Sequence, residues 1–148
     1  MVKNKKNGIN LMALICIVFV LLILAGTLVV SFNNVFISTK EKEFANEIYS
    51  IQKLVDQYYF KNAEYPVKGE DISFVEQFTN TPVTGKELDL YEADVNEAKR
   101  GKRSNSDEED IYIVSETGVV YYMKGEKIGK NVYYTLTDDL KKQLGLVK

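Results

Sequence analysis

The sequence predicts an α+β protein: a long N-terminal helix, first transmembrane and then amphipathic, packed on a small antiparallel β-meander with a short C-terminal helix. Three observations carry this expectation. Leu11–Val30 is an apolar run, Phe44 to Tyr58 repeats apolar residues at helical spacing, and residues 111–135 are rich in β-branched and aromatic residues parted by glycine turns.

The apolar run reads LMALICIVFVLLILAGTLVV, interrupted only by Gly26 and Thr27. It matches the ~20 helical residues that cross a hydrocarbon core about 30 Å thick. Lys3, Lys5 and Lys6 precede it, and no acid occurs before Glu41. The positive-inside rule therefore makes residues 1–8 a cytoplasmic basic leader, residues 9–32 a transmembrane helix, and residues 33–148 an extracytoplasmic domain. A cleaved secretory signal also begins basic and apolar, but this run is longer than a signal core. Leu24-Ala25-Gly26 also puts Leu where a signal peptidase wants a small residue. No Cys follows Ala25-Gly26, which excludes a lipoprotein anchor.

Beyond the apolar run, Phe44, Ile48, Ile51, Val55 and Tyr58 follow at steps of four, three, four and three, one stripe on a helix. No proline precedes Pro66, so one nearly continuous helix is expected from about Ile9 to Phe60, stopping by Ala63 because of Tyr65-Pro66. Ile72, Phe74, Val75 and Phe78 suggest a short helix over 72–78, and Leu88, Leu90, Tyr91 and Val95 a short strand or turn. Residues 96–110, NEAKRGKRSNSDEED, read as a solvated loop. Its acids Asp107 to Asp110 lack the ligand alternation and central glycine of a calcium loop.

Ile111–Ser115 and Val119–Met123 form a hairpin about Glu116-Thr117-Gly118, and Val132–Thr135 a third strand after a turn over Lys124–Lys130. The stripe from Phe44 to Tyr58 is the cover such a meander needs on one face. Thr137 caps a short helix, Asp138–Leu144, with Leu140 and Leu144 inward, and Gly145 ends it. Tyr91, Tyr112, Tyr121, Tyr122, Tyr133 and Tyr134 lie in or near the strands, where rings are expected to be buried and hydroxyls wet; a ligand-binding face is the alternative.

Composition excludes several functions. There is no His and no Trp, and the lone cysteine, Cys16, lies in the apolar run. No intrachain disulfide, Cys/His zinc site or His-dependent catalysis can be built, and neither an enzyme nor a cofactor is expected. Beyond residue 30 the chain keeps 16 of its 19 Lys and Arg against all 21 acids, so no nucleic acid partner is predicted.

The layout resembles the type IV pilins and type II secretion pseudopilins. The residues that carry the resemblance are Lys5-Lys6-Asn7-Gly8, then Ile9-Asn10-Leu11-Met12-Ala13-Leu14-Ile15, and later Gln52–Tyr58 followed by Asn62-Ala63-Glu64-Tyr65-Pro66. Tyr112–Ser115 with Gly118 and Tyr121-Tyr122 is similar to the sheets of some members. The resemblance implies cleavage by a prepilin peptidase between Gly8 and Ile9, methylation of the new N-terminus, and assembly with other pilin-like subunits through a helix leaving the membrane. Leu11, Leu14, Val18, Leu22 and Gly26 are the expected assembly residues. The chain departs from the family at Ala13, where major pilins carry a glutamate at the fifth mature residue; no intramembrane carboxylate is available to pair with a neighbour's amine. It is then expected to be a minor filament subunit, localised in the cell membrane with its N-terminus cytoplasmic. The alternative is a monomeric membrane-anchored binding or sensing module presenting its tyrosines and the 96–110 loop.

Overall fold

The computed structural model describes residues 10–77, 79–96, 99 and 110–148, without the side chains of 27–33. The chain divides into two compact units, Met1–Ser38 and Thr39–Lys148. The fold is α+β. Helix α1 takes in Leu11–Asn62, and the short helix α2 Asp138–Gln143. Strands β1 (Val67–Val75), β2 (Pro82–Leu88), β3 (Tyr112–Ser115) and β4 (Val120–Tyr122) form one antiparallel sheet in that order. Strands β5 (Glu126–Ile128) and β6 (Asn131–Tyr133) pair separately.

Helix α1 begins at a local cap: Asn10 accepts the Met12 N–H on its side chain (3.3 Å) and the Leu14 N–H on its carbonyl (3.0 Å). It ends at Asn62, where Ala63 turns into the left-handed region (φ 56°) while its N–H still bonds Tyr59 O at 2.8 Å. In the second unit Phe44, Ile48, Ile51 and Val55 are all buried, as their spacing predicts. Each such side chain is worth about 1.5–3 kcal/mol when withdrawn from water. Tyr112 pairs with Tyr122 and Val114 with Val120 across β3 and β4, and all four are buried.

Gln52 stands among these apolar residues and joins helix to hairpin with both ends of its amide. Its Nε2 donates to Gly118 O at 2.7 Å, and its Oε1 accepts the Val120 N–H at 2.9 Å. Gly118 takes φ 84°, and Tyr65 lies so close that a Cβ there would stand 2.6 Å from its Cζ. Tyr65 in turn stacks on Tyr59 with centroids 4.5 Å apart, so the residues after α1 close over the hairpin turn. Pro66 is buried behind it.

Several expectations are corrected. Residues 72–75 are not a helix but the end of β1, paired with β2 from Ile72↔Gly85 to Val75↔Pro82; Phe78 lies outside the described residues. Ile72 and Phe74 alternate inward, and antiparallel pairing prevails over the i, i+3 spacing of Ile72 and Val75. Leu88 closes β2, and 90–94 is a turn built on Asp89, whose Oδ1 accepts the N–H groups of Tyr91 (3.0 Å) and Glu92 (3.1 Å). The meander therefore has four strands and grows from β3 toward β2 and β1. The expected third strand, 132–135, instead pairs with β5; only its end reaches β4, through Tyr122 N–H to Tyr134 O (2.6 Å) and Thr135 Oγ1 to Val120 O (2.7 Å). Asp110 is no solvated loop residue: it is 8% exposed and accepts the Tyr122 hydroxyl at 2.9 Å. Most of the 96–110 loop lies outside the described residues. At the C-terminus Thr137 caps α2 through the Leu140 N–H (3.3 Å), Leu140 is buried, and Gly145 takes φ 72°.

Replacing Gln52 with Ala leaves a carbonyl and an N–H of the β3–β4 hairpin unpaired beneath α1. We expect a loss of about 1–3 kcal/mol in thermal unfolding of the full chain, against a change within about 0.5 kcal/mol for Lys53→Ala on the exposed side of the helix.

Candidate functional site: the apolar helix and the tyrosine–carboxylate pairs

Two sets of residues were candidates for function in the sequence: the apolar helix and the tyrosines. Every large side chain described from Leu11 to Leu24 is apolar and exposed. Of the expected assembly residues, Leu11 is 70%, Leu14 46%, Val18 46% and Leu22 64% exposed, and a Cβ on Gly26 would meet nothing within 4 Å. The residues between them are no better covered: Met12 is 67%, Phe19 62% and Ile23 64% exposed. The chosen stripe is thus not set apart from the rest of the helix, because this stretch is apolar on every side. Many of its residues, among them Ile15, Ile17, Val18, Val20 and Ile23, are β-branched and are mediocre helix formers in water. Gly8 and Ile9, the expected processing residues, lie outside the described residues.

Among the described residues no helix is long and apolar enough to cross a membrane. The described side chains of the apolar run stop at Gly26, about 24 Å along the helix from its start; the sequence remains apolar to Val30.

The tyrosines behave otherwise than expected. Tyr112, Tyr122 and Tyr134 are buried, but their hydroxyls are bonded rather than wet. Tyr112 donates to Glu47 of α1, and Tyr122 to Asp110. Tyr134 accepts the Gln77 N–H at 3.1 Å. Tyr133 donates to Glu41 Oε1 (2.7 Å), whose Oε2 takes Gln143 Nε2 (2.6 Å), so one carboxylate holds both β6 and the end of α2. Tyr58 donates to Glu92 Oε2 at 2.7 Å. Tyr121 packs edge-on against Phe74, centroids 6.1 Å apart, and only Tyr91 stands free, 93% exposed. Among the described residues, five of the six tyrosines of the strand region are thus engaged within the chain.

Sequence reading passed over Glu41, Glu47 and Gln52, which carry these contacts from α1. Gln52 left a signal: it sits one turn from Ile48 on the buried side, where a polar group needs a partner. A groove of about 370 Å³ near the end of α1 was also missed; Tyr58, Glu64, Tyr65, Asp89 and Glu92 line it. No group of three His, Cys, Asp or Glu side chains able to hold a metal occurs among the described residues.

The carboxylates beside Tyr58 raise its pKa. The hydrogen bond to Glu92 acts first, and the charges of Glu92, Glu64 and Asp89 add to it, so the phenol is pushed from 10.0 up to about 12. Burial, aided by Glu76, raises Tyr121, and burial with the Glu41 bond raises Tyr133. A phenol that holds its proton more tightly when folded stabilises the fold fully below pH 10.0 and loses that contribution as pH climbs toward 12. Melting temperature should therefore fall across that window; Tyr58→Phe, which lacks this contribution at every pH, should melt lower at neutral pH and fall less steeply from pH 10 to 12.

Comparisons with protein-family models, with curated proteins and with solved structures find no match to this chain.

Proposed function

We propose that the protein is a pilin-like structural subunit of a type IV pilus or type II secretion-type filament, held in the membrane and then in the filament by its apolar N-terminal helix. The observation that carries this reading is the set of apolar side chains from Leu11 to Leu24, exposed on all sides. A water-facing helix of this kind has no stable environment; a bilayer or a bundle of like helices supplies one. The basic leader Lys5-Lys6-Asn7-Gly8 before Ile9 supports processing by a prepilin peptidase, and the α+β head on the second part of α1 agrees with the layout of such subunits.

Ala13 favours a second reading, a monomeric membrane-anchored extracytoplasmic module, because no carboxylate is present to pair with a neighbour's N-terminal amine. N-terminal sequencing of the protein from cells that contain a prepilin peptidase separates the two. A start at Ile9, lost in the Gly8→Val variant, is expected of the filament subunit. Intact Met1 in the wild-type chain, with no sedimentable assembly, would leave the monomeric module.

A further inference from the structure

The head carries complementary charges at the two ends of its part of α1. At the C-terminal end lies the groove of about 370 Å³, walled by Tyr58, Tyr65 and Pro66 and rimmed by Glu64, Asp89 and Glu92. Among the described residues no Lys or Arg lines it. Asp89 bonds two backbone N–H groups and Glu92 the Tyr58 hydroxyl, while Glu64 has no partner among the described residues. Two of the three acids are thus held in place, and among the described residues no ion pair joins any of them to a lysine or arginine.

At the other end stands the β5–β6 hairpin. The pairing Ile128↔Asn131 leaves Gly129-Lys130 as its two-residue turn, with Gly129 at φ 62°. Lys127 and Lys130 are exposed there, and neither has a partner among the described residues. The hairpin is fixed to α1 by the Tyr133 hydroxyl on Glu41 and by the Tyr133 ring 6.2 Å from Phe44. From Glu41 to Tyr58 the helix climbs about 25 Å. The lysine-tipped turn therefore cannot fill the groove of its own head.

We propose that the groove between Tyr58, Glu64 and Glu92 receives the Lys127–Lys130 hairpin tip of a second copy of this chain. The contact rests on the filament reading above and names the surface by which heads would meet. It is heterologous, since the two surfaces differ, and its repetition gives an open line of copies rather than a closed pair. The ammonium groups meet carboxylates at the rim, and their aliphatic stems run past Tyr58 and Tyr65, which line the groove.

Cysteines at the two surfaces test this in the full chain, with Cys16→Ser as background. Glu64→Cys combined with Lys130→Cys should give, on oxidation, a ladder of disulfide-linked multimers. Either substitution alone should give at least ten-fold less. In a parallel series Lys130→Glu should lower sedimentable assembly at least ten-fold at low salt, and adding Glu64→Lys should restore it. Unchanged melting curves would show that the exposed substitutions leave the fold intact. Filaments that start at Ile9 yet give neither ladder nor charge-swap rescue would overturn this contact and leave the filament reading standing. Cross-linking of Glu64→Cys to a different protein without a ladder would overturn it as well, and a monomer intact at Met1 would remove both readings.

Discussion

The head folds on one line of contact, the buried stripe Phe44–Ile48–Ile51–Val55 with Gln52 set into its edge. The four-stranded sheet is narrow, and β3 and β4 have only four and three residues. Strands that short do not hold together on ladder bonds alone. Tyr112, Val114, Val120 and Tyr122 come to one side of them and are buried there. The hydrophobic term brings the surfaces together without choosing a register. Gln52 chooses it, because an amide that bonds Gly118 O and the Val120 N–H fits only one position of the hairpin along the helix.

The polar contacts around this stripe share one chemistry. Where longer charged pairs would serve in another protein, here a phenol meets a carboxylate: Tyr133 with Glu41, Tyr112 with Glu47, Tyr58 with Glu92, Tyr122 with Asp110. A buried ion pair withdraws two charges from water, whereas a tyrosine–carboxylate pair withdraws one, and the ring adds apolar area to the core. The bond to a charged acceptor is also stronger than a neutral one. This accounts for four of the ten tyrosines in a chain without His or Trp. It also explains how Asp110 can be buried: Tyr122 supplies the donor that burial of a carboxylate requires.

What the sequence disclosed follows the range of the interactions. The stripe on α1, the stop before Tyr65-Pro66, the β3–β4 hairpin about Gly118 and the Thr137 cap all depend on neighbours within a few residues, and each stands where the spacing put it. Strand β1 was misread because Ile72, Phe74 and Val75 satisfy a helical and a strand spacing equally over so few residues; its pairing with 82–88 decided the matter. The separate β5–β6 pair had the same difficulty, since a three-residue strand carries almost no period. The partners of the tyrosines were illegible for a different reason. Tyr133 and Glu41 are 92 positions apart, and Tyr112 and Glu47 are 65 apart, so only the closed fold brings them together. The groove is of this kind too: Glu64 lies in the segment just after α1, and Asp89 and Glu92 in the turn after β2.

The two parts of α1 make opposite demands on their surroundings, and the functional reading depends on that contrast. From Phe44 to Val55 the apolar side chains share one face, and the chain's own sheet covers them, so this part is satisfied within one molecule. From Leu11 to Leu24 the apolar side chains point to every side, and no single packed face could cover them. Burying one stripe would leave the others in water, each at a cost of about 1.5–3 kcal/mol per large side chain. Only surroundings that enclose the helix relieve all of them together, which lipid does and a ring of neighbouring helices does. In the proposed filament subunit the exchange of lipid for neighbours then changes little in hydrophobic free energy, and shape and charge decide which neighbours are accepted. This first part carries neither acid nor base beyond Lys6, so in such a filament charge discrimination between copies would fall to the head, where the proposed contact of the groove beside Tyr58 with the lysines of the β5–β6 turn would supply it.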